Sequence, residues 1–157
     1  MIVRPIEPSD EDAYRTILEG TSAEDRYCRF FHHVDHFDPA EVHRFVEERD
    51  DMFGMIAEED GVAYGAAHAA LLEAGTAELG IVVTQYARKR GVGIALLTAL
   101  IARLKERGFT KLVAVSLREN HAFDALARRI GFTVERADGD ALWWVLMLAE
   151  VPAPRTV

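Results

Sequence analysis

The sequence predicts a mixed α+β fold in which helices pack on a mostly antiparallel sheet, and three observations support this prediction. The chain before residue 52 contains one short strand-like run followed by helical patterns. Three strand-like runs then follow one another with only hairpin turns between them. Strands and helices alternate after that, and a last hairpin closes the chain. The predicted order is β-ααα-β-β-β-α-β-α-β-β, in which the hairpins make antiparallel neighbours and the strand-helix-strand unit makes a parallel pair.

The first part of the chain is expected to contain the first strand and three helices. Residues 2–6 have the composition of a short strand, and 9–20 form an amphipathic pattern with Ser9 as its N-cap. A second helix is expected over 23–33. The third begins at Pro39, because proline fits the first turn of a helix and an aspartate precedes it as a cap.

From residue 52 the hydrophobic pattern changes to the two-residue period of strands, and helices return further along the chain. The predicted strands and helices are, in order, the strands 52–59, 62–72 and 77–83, the helix 92–107, the strand 110–116, the helix 120–132 and the hairpin 134–148. Asp60-Gly61 and the run 74–76 separate the first three strands and have the residues of hairpin turns.

The composition is that of an ordinary folded domain, with 50% hydrophobic and 28% charged residues in 157. We expect one domain over 1–149 and a flexible tail over 150–157, where two prolines leave little to bury. No apolar run approaches the ~20 residues that a membrane helix needs, and the acidic amino terminus does not resemble a signal peptide. Because the lone Cys28 cannot form an internal disulfide, a cytoplasmic location without a membrane partner is expected.

The net charge of −8 is concentrated in the first sixty residues. A nucleic-acid-binding protein carries a broad basic face, so no nucleic-acid partner is expected. Solvated helix surface is one interpretation of the acidic part, and attraction of a cationic partner is the other. His32 and His36 have a helical i, i+4 spacing, but no further pattern completes a closed metal site. The sequence therefore predicts no metal.

A run of cations and glycines, between a predicted strand and a predicted helix, is the most informative segment. It reads Arg88-Lys89-Arg90-Gly91-Val92-Gly93. At a helix start the first N–H groups lack partners, and the macrodipole adds about half a positive charge. Glycines leave an anion room to reach those groups. The segment therefore predicts a phosphate or diphosphate ligand.

Two familiar phosphate-binding motifs fit this segment poorly. A P-loop needs Lys-Ser or Lys-Thr in its longer loop, whereas Ile94 and Ala95 follow Gly93 here. The dinucleotide fingerprint ends in glycine or alanine, and Leu96 occupies that position.

The same segment resembles the R/Q-x-x-G-x-G/A motif of the GNAT superfamily of acyl-CoA N-acyltransferases. The context strengthens the resemblance: AELGIVV precedes the motif, Asn120 opens the next helix, and Ile130-Gly131-Phe132 closes that helix. The resemblance implies that acetyl-CoA is the acyl donor and that backbone N–H groups of this loop hold its diphosphate. The residues that it implies for the cofactor are Gly80, Ile81, Val82, Val83, Arg88, Lys89, Arg90, Gly91, Val92, Gly93, Ile94 and Asn120.

A closer likeness is to the catalytic domain of bacterial protein-lysine acetyltransferases, through SAEDRYCRFF at 22–31 and AELGIVV at 77–83. It implies acetyl transfer to a protein lysine. A small cationic amine is the alternative acceptor, and a non-catalytic acyl-CoA-binding sensor is a third possibility from another class. A monomer and a homodimer are both compatible with the sequence.

Chemistry at such a site needs a base, because an ordinary lysine has a pKa near ~10.4 and only the neutral amine attacks a thioester. Glu78 is the only charged residue within its apolar strand and shares a strand face with Gly80 and Val82. The resemblance implies Glu78 as the general base and a backbone N–H near Val82 as the oxyanion donor. It also places Ala127 where many relatives have a tyrosine acid, so no acid is assigned.

The adjacent Trp143 and Trp144 belong to the predicted closing hairpin. Because neighbouring strand residues point to opposite faces, one ring is expected in the core and the other on the outer face or at an interface.

Overall fold

A computed structural model of the chain describes residues 1–21, 39–47, 49–87 and 91–148. The second predicted helix, Cys28 and the histidine-rich run at 32–36 lie outside these ranges. So do the three cations Arg88, Lys89 and Arg90 and the predicted tail.

The described chain forms a seven-stranded sheet in the order β1-β2-β3-β4-β5-β7-β6. The strands are β1 Ile2–Pro5, β2 Met52–Glu59, β3 Val62–Glu73, β4 Thr76–Val83, β5 Lys111–Leu117, β6 Thr133–Asp138 and β7 Ala141–Met147. All neighbours are antiparallel except β4 and β5, which run parallel. The predicted mixed, mostly antiparallel sheet is confirmed.

Four α-helices lie within the described ranges: α1 Glu11–Glu19, α2 Pro39–Val46, α3 Val92–Glu106 and α4 His121–Ile130. Short 3₁₀ turns occupy Pro8–Asp10 and Gln85–Ala87. Most predicted boundaries agree with these to within one or two residues.

The prediction that Ser9 caps the first helix is wrong. Pro8 starts a 3₁₀ turn that contains Ser9, and Asp10 is the residue directly before α1. The carboxylate of Asp10 accepts the N–H of Glu7 at 2.7 Å and the guanidinium of Arg4 at 2.7 and 2.8 Å. These hydrogen bonds lower the pKa of Asp10, chiefly through Arg4. The turn therefore joins α1 to β1 through a charged pair.

The helices cover the two faces of the sheet in pairs. α1 and α2 contribute to a core with Ile56, Ala66 and Val82. α3 and α4 contribute to a larger core on the other face, which includes Leu112 and Trp144. Side chains that alternate along β4 therefore face different helical layers.

The two tryptophans of β7 point to opposite faces, as predicted. Trp144 is fully buried, and its Nε1 donates to the Ser116 hydroxyl at 2.8 Å. Trp143 is half-buried on the other face, with the Arg136 guanidinium 4.5 Å from its ring centre. Within the described ranges, no helix is both long enough and apolar enough to span a bilayer.

Candidate active site

The parallel strands β4 and β5 separate after three residue pairs. Pairing runs from Thr76 with Lys111 to Glu78 with Val113 and then stops. Both strands continue, so 79–83 and 114–117 have no partner across the gap. The gap opens at the carboxyl ends of these strands, where ligands bind in many α/β sheets. Unpaired backbone N–H and C=O groups are thus available for a ligand.

The register shows which backbone groups of β4 face the gap. The Thr84 N–H donates to the Tyr64 carbonyl of β3 at 2.8 Å, and the β3–β4 pairing is regular from there toward Glu78. Because successive N–H groups of a strand point to opposite sides, Val82 directs its N–H to β3. Ile81 and Val83 direct theirs to the gap. Near Val82, the N–H groups that face the gap are therefore those of its two neighbours.

The amino terminus of α3 follows β4 and leaves its first N–H groups uncapped. Gly91 is the N-cap residue, with the left-handed φ of 76° and no side-chain cap. The first helical bond runs from the Ala95 N–H to the Gly91 carbonyl at 3.0 Å. The N–H groups of Val92, Gly93 and Ile94 precede it, and no side chain in the described part of the chain caps them. The partial positive charge of these N–H groups suits a negatively charged diphosphate.

The absence of a side chain has a different structural consequence at each of the two loop glycines. Gly91 is exposed, and a Cβ there would meet nothing within 4 Å, so its surroundings stay open as expected. A Cβ at Gly93 would lie 3.0 Å from the Leu126 side chain of α4. The missing side chain of Gly93 therefore lets α3 and α4 approach each other.

The side chain of Val92 faces the core and is 2% exposed, so only the backbone of this residue can reach a ligand. Asn120 precedes α4 and is confirmed as its N-cap, with its side-chain oxygen accepting the Phe123 N–H at 3.1 Å. The side-chain NH₂ of Asn120 has no partner among the described residues and remains available.

Glu78 is the last residue of β4 before the gap, and its side chain is exposed. Its cross-strand partners are Ala70 on β3 and Val113 on β5. It lies on the same sheet face as Val82, the face that α1 and α2 partly cover. It makes no hydrogen bond or ion pair with any described residue. Within the described ranges, this carboxylate at the mouth of the gap is therefore available for proton transfer.

Neither Tyr14 nor Tyr64, the two tyrosines whose side chains the structure describes, lies on the helix that contains position 127. Ala127 is fully buried in the core beside α3. Tyr14 is buried between α1 and the sheet, Tyr27 lies outside the described ranges, and Tyr64 is half-buried on β3. Arg128 of the same helix pairs with Asp124 at 2.8 Å and stacks on Trp144.

His68 is a residue that the sequence analysis missed. It lies on β3 next to Gly80 of β4 and is 4% exposed. The feature that could have identified it is a lone histidine inside the apolar run VAYGAAHAALL. Among the described residues, no group of three or more histidine, cysteine, aspartate or glutamate side chains could hold a metal ion.

Comparisons with known proteins agree with this geometry. The model of the acetyltransferase (GNAT) family matches residues 17–132, and the chain belongs to that family. The structure is similar to the GNAT domain of S. lividans PAT, with a TM-score of 0.87 and 27% identity over 93% of this chain and 89% of that one.

Two further structures share the fold at lower identity. YncA from Salmonella typhimurium, solved with its cofactor acetyl-CoA, has a TM-score of 0.76 and 22% identity, with 99% of this chain and 98% of YncA covered. The ribosomal-protein-S18-alanine N-acetyltransferase from Escherichia coli has a TM-score of 0.74 and 18% identity, with 99% of both chains covered. The protein is an acetyltransferase of the GNAT family.

Proposed function

We propose that this enzyme transfers the acetyl group of acetyl-CoA to a lysine side chain of a protein, with Glu78 as the general base. The observation that carries the proposal is the exposed carboxylate of Glu78 at the point where β4 and β5 separate. A base at this point is within the reach of an amine that approaches a thioester held in the gap.

The donor would be held by backbone groups. The N–H groups of Gly91, Val92, Gly93 and Ile94 would bind the diphosphate, with Arg88, Lys89 and Arg90 contributing charge. The pantetheine arm would enter the gap beside the backbone of Gly80 to Val83, and the Asn120 NH₂ would bind it from α4. Acetyl-CoA supplies an activated carbonyl whose carbon–sulfur bond breaks in the reaction.

The chain's own groups would then act in a fixed order. Glu78 accepts a proton from the acceptor ammonium, directly or through water, and the neutral nitrogen forms a bond to the acetyl carbon. The N–H of Ile81 or Val83 donates to the carbonyl oxygen as negative charge develops on it. The nitrogen, which carries two protons after the attack, loses one of them to solvent as the carbon–sulfur bond breaks. The departing thiolate takes a proton from solvent, because Ala127 offers none.

Charge supports a lysine-bearing acceptor. The first sixty residues contain an excess of acidic side chains in a chain of net charge −8. α1 and α2, which belong to this part, lie on the face of the sheet that carries Glu78. Long-range attraction would therefore favour a cationic surface.

Mass spectrometry of a host lysate tests the proposal. The lysate is incubated with acetyl-CoA and either the wild-type protein or Glu78→Gln. We expect new acetyl-lysine peptides with the wild type and few with the variant. Acetylation of small amines alone would contradict the protein acceptor, and binding of acetyl-CoA without any transfer would indicate a sensor.

A further inference from the structure

The buried His68 is hydrogen-bonded to the end of a helix. Its Nε2 lies 2.9 Å from the carbonyl oxygen of Phe45 in α2. Because a carbonyl oxygen only accepts, Nε2 carries the proton and donates it. The four last carbonyl groups of a helix have no partner within it, and Phe45 is the next-to-last residue of α2. His68 therefore caps α2 from the sheet.

Aromatic contacts fix the same ring from two helices. The Tyr14 ring of α1 lies 5.3 Å from the His68 ring, and the Phe45 ring of α2 lies 5.1 Å from it, both edge-on. The two aromatic rings are 5.5 Å from each other. The imidazole thus joins β3 to both helices of this layer.

Glycines flank His68 on both neighbouring strands. Its cross-strand partners are Gly54 on β2 and Gly80 on β4. A Cβ at Gly54 would lie 2.6 Å from the imidazole, so the ring occupies the space that this glycine leaves. Gly80 lies between Glu78 and Val82 on the same sheet face.

The other side chains that β3 presents to this face near Glu78 are small. Ala70 is opposite Glu78, and Ala66 is opposite Val82. His68 lies between Ala66 and Ala70 on this face of β3, and its side chain is much larger than theirs. The distance between α2 and β3 therefore depends on this ring and its hydrogen bond to Phe45.

We propose that His68 is a positioning residue for the acceptor: through Phe45 of α2 and Tyr14 of α1, it fixes the distance of this helical layer from β3, and that distance lets an acceptor amine reach Glu78. The inference rests on the proposed function. His68 acts through the Phe45 carbonyl and exchanges no proton with the acceptor. Loss of the cap would weaken acceptor binding and leave the binding of acetyl-CoA, which depends on α3 and the gap, unchanged.

Two substitutions separate the hydrogen bond from the shape of the ring. His68→Phe keeps an aromatic ring and removes the donor, whereas His68→Gln keeps an N–H group at a similar distance along the side chain. The acceptor probe is poly-L-lysine. We expect His68→Phe to raise KM for poly-L-lysine about tenfold, the equivalent of one lost buried hydrogen bond, and to leave Kd for acetyl-CoA within about twofold. His68→Gln should recover most of the loss.

The outcomes distinguish this inference from the proposed function. If the wild type acetylates poly-L-lysine and His68→Phe has an unchanged KM, or the two variants are equally impaired, the role of His68 is refuted and the function stands. If the wild type binds acetyl-CoA but acetylates no amine, the proposed function fails and the acceptor role of His68 fails with it.

A measurement on the wild-type protein needs no variant to fold. Long-range ¹H–¹⁵N correlation spectra of the histidine side chains report which ring nitrogen carries the proton. The inference requires the Nε2–H tautomer for His68. A spectrum that shows the Nδ1–H tautomer would overturn it.

Discussion

Replacement of Glu78 by glutamine removes the proposed base with little change in shape. The side chain is exposed and pairs with no described residue, so the free energy of unfolding should change by less than about 0.5 kcal/mol. Binding of acetyl-CoA should also be unchanged, because the diphosphate and the base occupy different parts of the site.

The size of the effect follows from proton chemistry. A positioned base contributes about 10²–10⁴-fold to a rate. With a pKa near ~10.4, about one lysine in 2,500 is neutral at pH 7, and this fraction rises tenfold per pH unit below that pKa. We expect Glu78→Gln to lower kcat/KM by about 10²–10³-fold at pH 7. The defect should shrink steadily as the pH rises toward 10, because the acceptor then loses its proton without help.

The assay measures CoA release at saturating acetyl-CoA across this pH range. Glu73→Gln is the matched control, since Glu73 is also exposed and lies three residues before the start of β4 at Thr76. It loses the same charge near the site and should keep nearly full activity. An unchanged rate in Glu78→Gln, or an equal loss in both variants, would refute the role of Glu78 as base.

Three further predictions concern the residues that position the site. The hydrogen bonds from Arg4 lower the pKa of Asp10. The stability that they contribute is therefore present above about pH 4 and is lost as the pH falls through that lowered pKa. In urea unfolding, Asp10→Asn should lower the free energy of unfolding by about 1–3 kcal/mol at pH 7 and should lose less stability than the wild type below pH 4. Asn120→Ala should cost about 1 kcal/mol of stability, and Asn120→Ser should restore the stability but not the affinity for acetyl-CoA. Gly93→Val should lower the free energy of unfolding by about 1–3 kcal/mol, because the new side chain clashes with Leu126. Leu126→Ala should therefore reduce stability less in the Gly93→Val protein than in the wild type.

Much of the fold could be predicted because its signals are local. Turn residues such as Asp60-Gly61 and Pro39 at a helix start mark boundaries without reference to the rest of the chain. Alternation along β7 was enough to assign Trp143 and Trp144 to opposite faces. The family motif likewise depends on a short segment before α3.

The errors and omissions concern contacts between distant residues. Ser9 has the composition of a cap, but Pro8 and the ion pair of Asp10 with Arg4 move the helix start. Gly93 belongs to the family motif, and its contact with Leu126, 33 positions later, is a packing role that the motif does not reveal. His68 gains its significance from Phe45 and Gly80, which no local pattern connects to it.

The direction of backbone groups in β4 was also beyond a sequence argument. Alternation alone states that neighbouring N–H groups point to opposite sides. The bond from Thr84 to Tyr64 decides which set faces β5. Of the N–H groups near Val82, it leaves those of Ile81 and Val83 facing the gap, and these are the oxyanion donors that we propose.

The central claim is that uncapped N–H groups at the start of α3 bind the diphosphate of coenzyme A. Calorimetric titration of CoA into Gly91→Val and Gly108→Val tests it most directly, because both glycines have positive φ values, 76° and 85°, and open surroundings at opposite ends of α3. The two substitutions carry similar strain, and only the first places a side chain beside the uncapped N–H groups. We expect Gly91→Val to weaken CoA binding at least about tenfold, Gly108→Val to leave it unchanged, and pantetheine, which lacks the diphosphate, to bind both variants equally. Equal CoA affinity in the two variants would contradict the claim.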